Sequence, residues 1–208
     1  MNTRRQHRWS TIAAVATLGL TIFTPAALLA EGFPGHSREG VAFELIGQAQ
    51  VLSPAAAIQY GYLSYVAGLE SVFTGTPQNE SSAIFTFYND TATKRVTVNG
   101  PLRIVNREGT ATFYLNAAPS GDFTNSDTFR AGVPVMTATL RHQVIQDTVE
   151  NSFITQFDLT VTWVQPFQVG DQEHRLGRPG QKLTWIVYGR PNSPPATSFA
   201  IAGFALSE

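Results

Sequence analysis

The chain has 208 residues, 43 % of them hydrophobic, 11 % aromatic and 14 % charged, with no cysteine and a formal net charge of −1. So low a charged fraction beside that aromatic content excludes a disordered tail, a coiled coil and a nucleic-acid binder. The lack of cysteine excludes a disulfide scaffold, a thiol nucleophile, a cysteine-ligated zinc site and a thiol-linked lipid anchor.

Residues 1–30 read as a cleaved secretory signal peptide. Arg4, Arg5 and Arg8, with no acid among them, precede an uncharged stretch over 11–23, and Pro25 leads into Ala-Ala-Leu-Leu-Ala, with cleavage expected after Ala30. An apolar run of about 13 residues is too short for a helix to cross a bilayer, which takes roughly 20. His7 and Arg8 stand where a twin-arginine signal prefers apolar residues, which favours the general secretory route. The expected localisation is therefore secreted or periplasmic, with no transmembrane segment in the mature chain. Cleavage removes three basic residues and no acid, so eleven cations face fifteen acids and the net charge becomes −4. Such a surface offers no polybasic stripe for nucleic acid or anionic lipid.

Residues 31–40, with Gly32, Pro34, Gly35 and Gly40, form a flexible leader, and 41–208 a single all-β domain. Over 41–52, Val41, Phe43, Leu45, Ala49 and Val51 share one parity, the mark of a half-buried strand. A second strand is expected over 58–73, apolar on both faces, followed by a polar loop over 74–82. Residues 83–88 make a strand that ends in a turn at Asn89-Asp90. Short strands follow over 95–98 and 102–106, and Arg107-Glu108-Gly109 is expected to turn the chain into a further strand over 110–116. Residues 117–130 are irregular, and loops of that length are often functional. The clearest hairpin joins 135–149 to 153–167 through Glu150-Asn151, with Phe153, Phe157, Leu159, Val161 and Trp163 on one face. A polar stretch over 170–181, a strand over 183–188, a proline-rich break over 191–195 and a β-like segment over 198–206 complete the chain. Nine or ten strands with Gly, Pro and Asn turns and no helix indicate a single antiparallel all-β domain. The two longest expected strands favour a β-barrel over a β-sandwich.

Chemistry-bearing motifs are sparse. No phosphate-binding loop and no nucleophile elbow occurs. The three histidines beyond the signal, His36, His142 and His174, are not spaced as a metal pair, so neither a metal site nor a cofactor is expected. Asp122, Asn125 and Asp127 could offer oxygen ligands to calcium, but Asx turns account for them more economically. His142 is the candidate general base, since imidazole titrates near neutrality. Glu44 and Asp158 are the candidate carboxylates, each mid-strand between apolar neighbours, although their parity points them to solvent. His174, between Glu173 and Arg175, reads as part of a solvated charge cluster.

The aromatic inventory carries the best functional lead. Tyr60, Tyr62, Phe85, Phe87, Phe113, Phe157, Trp163 and Trp185 are spread over several strands. On the inner face of a barrel they would either fill the core or line a cavity for a small apolar molecule, the expected partner. Two alternatives stand beside this binding function. One is a barrel enzyme of isomerase or cyclase type acting on a hydrophobic substrate, marked by a cavity group with a displaced pKa. The other is a cell-envelope or matrix interaction module, marked by an exposed apolar patch or an unpaired strand edge.

Overall fold

The computed structural model describes residues 41–192 and 198–207. The expected signal peptide over 1–30, the leader over 31–40 and residues 193–195 of the proline-rich break lie outside the described residues. In chain order the strands are β1 (Val41–Ser53), β2 (Ala56–Val66), β3 (Phe85–Asn99), β4 (Leu102–Leu115), β5 (Val133–Asp147), β6 (Ser152–Val164), β7 (Phe167–Val169), β8 (Gln172–His174), β9 (Lys182–Pro191) and β10 (Ser198–Ser207), with one 3-10 turn over Ser126–Arg130. Eight of them close into an antiparallel barrel in the order β1-β10-β9-β6-β5-β4-β3-β2, and β7 and β8 form a separate small hairpin. β1 pairs with both β2 and β10, so the barrel strands leave no free edge.

Strand alternation assigns one parity of each strand to the interior. On β4 the inward row runs Arg103, Val105, Arg107, Gly109, Ala111 and Phe113, and on β5 it runs Gln146, Val144, His142, Leu140, Ala138 and Met136. Both rows change from polar to apolar in the same direction. Short connections (β1–β2, β3–β4 and β5–β6) gather at the polar end, and the long ones (β2–β3, β4–β5 and β6–β9) at the apolar end. The apolar half is packed solid: Trp185 meets Phe43, Phe87 and Phe113 edge-on at ring-centroid distances of 5.4, 5.8 and 5.5 Å. Phe167 of β7 caps this end by packing on Phe85 at 5.2 Å.

Several boundaries differ from those the sequence predicts. β3 runs straight through Asn89-Asp90, where a turn is expected, because Asn89 points inward between Gln59 of β2 and Ala111 of β4 while the ladder continues at Asp90. β4 likewise runs straight through Arg107-Glu108-Gly109. Gly109 is needed there for close approach and not for a turn, since a Cβ would fall on the carbonyl oxygen of Asp90. The polar stretch 170–181 contains β8, and the irregular stretch 117–130 contains the 3-10 turn. That turn lies over the outer face of β2 and β3, where Phe129 packs with Ile58, Tyr60, Tyr62 and Tyr88 in a second small core.

Candidate functional site

The polar half of the barrel is not filled. It holds a cavity of about 350 Å³, within the range typical of small-molecule sites. Its apolar wall is built from alternate residues of seven strands, among them Val51, Ala57, Val105, Val144, Phe153, Val187 and Ile201. Set into that wall are Gln59, Arg107, His142 and Thr155, with Arg103, Gln146 and Asn151 nearer the strand ends where the short connections lie. Phe157 stands where the cavity meets the solid half: it lines the cavity and contacts Trp185 at 5.5 Å.

His142 is 5 % exposed, and neither ring nitrogen has a hydrogen-bond partner in the protein. Phe157 packs edge-on against its ring at 4.8 Å. Burial, reinforced by the Arg107 guanidinium, pushes its pKa down to about 3, so the imidazole is neutral at neutral pH, with one nitrogen free to donate and the other free to accept. Arg107 is held by its Nε–H, which donates to Thr93 Oγ1 at 3.2 Å. Its pKa is lowered by burial and then by the like charge of Arg103. Gln59 donates weakly to Thr91 Oγ1 at 3.5 Å, and its Oε1 has no partner. Both side-chain polar atoms of Asn89 and the Nε1 of Trp185 are also buried without a partner in the protein. Interior polar atoms are nearly always satisfied, so this concentration in one barrel is unusual.

The residues singled out from sequence are distributed as follows. Phe157 and His142 line the cavity, whereas Phe85, Phe113 and Trp185 belong to the solid half. Tyr60 and Tyr62 are buried on the outer face of β2 beneath Phe123 and Phe129. Trp163 is 42 % exposed and lies outside the cavity. Glu44 is exposed on the outside of β1. Asp158 is exposed on the outside of β6, where it accepts from Gln156 Nε2 at 3.0 Å. Neither carboxylate reaches the interior. His174 is buried, in contrast to the solvated cluster expected, and its ring stacks on Phe167. Asp122 and Asn125 spend their side-chain oxygens on local backbone N–H groups of Thr124 and Asp127. Among the described residues no three His, Asp or Glu side chains converge, and no helix is long and apolar enough to cross a membrane.

Arg103, Arg107 and Gln59 are not legible as cavity residues from local sequence. The turn expected at 107–109 interrupts the inward row of β4, and the bulk of Ile58, Tyr60 and Tyr62 masks the inward parity of β2. The outer surface also carries a cross-strand row, Ile46, Ala202, Tyr188, Ile154 and Ile145, paired in register and exposed. Comparison with protein-family models, with curated proteins and with solved structures gives no match for the chain.

Proposed function

We propose that this protein is a secreted or periplasmic small-molecule-binding β-barrel whose ligand occupies the unfilled half of the interior. The observation that carries the reading is a cavity of about 350 Å³ bordered by His142 and Gln59, both buried and both with polar atoms that no protein group satisfies. Apolar walls supply affinity by burial, and a few fixed polar groups supply orientation. The mature-chain location rests on the basic, apolar and small-residue order of residues 1–30. The test is the mass of the protein taken from its own cells, measured under native and denaturing conditions. A reproducible native excess is expected, and its size gives the ligand mass. Equal masses, together with failure of the purified protein to bind any apolar probe, would contradict the reading.

A second reading is favoured by one specific contact pattern. Neutral His142 beside Arg107 presents N–H donors to a common space, an arrangement that stabilises a developing oxyanion in an isomerase or cyclase. Its pKa of about 3 makes His142 a poor general base at neutral pH, and no carboxylate among the described residues lines the cavity to orient it. Binding is therefore the better supported of the two. Conversion of a bound ligand by the wild type, lost in His142→Ala, would reverse that order. The envelope-module alternative rests on the exposed outer row, and a concentration-dependent mass in light scattering would favour it.

A further inference from the structure

We infer that the ligand is an amphipathic anion: an apolar body carrying one negatively charged oxygen group, which the Arg107 guanidinium receives inside the barrel. This deepens the binding reading above and rests on it.

The charge inventory of the cavity is one-sided. Arg103 and Arg107 both line it, and no Asp or Glu among the described residues does. The acid nearest in sequence, Glu108, lies on the outer face, paired to Lys94 and Arg141 at 3.7 Å each. Arg107 is anchored through Nε to Thr93, and no ion pair to it occurs among the described residues. Its terminal amino groups keep the planar fork that binds an oxyanion through two parallel bonds. The like charge of the exposed Arg103 repels the partly buried Arg107, and a single bound negative charge relieves both that repulsion and the desolvation of Arg107. Neutral His142 lies beside it, with Arg107 and His142 directly paired across β4 and β5, so the imidazole N–H can donate to the same anion. Beyond these groups the lining has no further charge: it is apolar at Val105, Val144, Phe153, Val187, Phe199 and Ile201, with uncharged polar side chains such as Gln59 and Thr155 between them. A fully apolar ligand would leave Arg107, Gln59 and His142 buried against hydrocarbon, at a cost an anion head avoids.

The experiment is titration calorimetry of the full mature protein at neutral pH with decanoate, decyl sulfate and decan-1-ol, probes that share one hydrocarbon chain and differ in the head. The two anions are expected to bind roughly tenfold or more tighter than the alcohol, the advantage of a charge-assisted over an unassisted contact. Arg107→Gln is expected to remove most of that advantage by weakening both anions, with decan-1-ol bound no more weakly than by the wild type because the charge it would desolvate is gone, and Arg107→Lys to restore part of the advantage. Decan-1-ol binding as tightly as the anions in the wild type would overturn the anion assignment and leave the binding function standing. Failure of all three probes to bind would overturn the binding function and this inference together. The wild-type comparison decides the matter even if an Arg107 variant does not fold.

Discussion

His142 concentrates the electrostatics of the cavity in one side chain. Its folded-state pKa of about 3 lies below the ordinary 6.5, so between those values the unfolded chain takes up a proton that the folded barrel refuses. Folding stability contributed by this group is complete above about pH 6.5 and declines as the pH falls toward 3. The full decline is on the order of a few kcal/mol. Replacing His142 with Leu is expected to flatten the wild-type slope over that window in chemical unfolding followed across pH, and to leave stability at pH 7 equal or higher, since two unpaired ring nitrogens are removed. An unchanged slope would show that water or another group already satisfies the imidazole. Trp185 contrasts with it. Its ring is the hub of the solid half, touching Phe43, Phe87, Phe113 and Phe157, and Trp185→Ala is expected to cost about 3–5 kcal/mol in the same assay.

Among the elements, β2 shows how a buried outer face obscures an inner one. Its inward row is Ala57, Gln59, Gly61 and Leu63, and its outward row is Ile58, Tyr60 and Tyr62, so the bulkier and more apolar parity faces away from the barrel centre. Alternation alone assigns the aromatic row to the core. What reverses it is the 3-10 segment over Ser126–Arg130, more than sixty residues further on, which packs over those tyrosines, a tertiary contact with no local signal. On β6, where one face meets solvent, alternation reads correctly as far as Val161, and beyond it a register shift against β5 turns Trp163 outward instead of inward. The covering segment is tied down by Thr86, whose hydroxyl donates to the Phe129 carbonyl at 2.8 Å while accepting from Asn116 Nδ2 at 3.0 Å. Thr86→Val is expected to cost about 1–3 kcal/mol, since it strands two buried partners, and to increase quenching of tyrosine fluorescence as the segment loosens from Tyr60 and Tyr62. On β9, a Cβ at Gly189 would overlap the ring of Phe153, which lines the cavity. Gly189→Ala is expected to push that ring into the cavity and weaken probe affinity more than it lowers the unfolding midpoint. The reverse ranking would place the strain in the strand pairing.

At the scale of the whole barrel, closure and uneven filling are separable consequences of composition. Closure follows from strand length and alternation, which the sequence displays openly, and so the barrel was legible. Uneven filling depends on which end each inward side chain occupies, and that requires the register of eight strands at once. Once the register is known, the division is simple. The aromatic cluster around Trp185 fills the end with long connections, and Arg103, Arg107, His142 and Gln59 project at the other among branched apolar residues and the Phe153–Phe199 pair. The central claim, that this second half receives a small molecule, is tested most directly by adding the neutral fluorophore 1-aminoanthracene to nitrogen-labelled protein and following His142 and Trp163 by magnetic resonance. His142 lines the cavity and Trp163 lies on the outer surface. Saturable shifts of the His142 ring nitrogens with a silent Trp163 indole are the predicted result. Shifts at Trp163 without any at His142 would place binding on the outer surface and contradict the account.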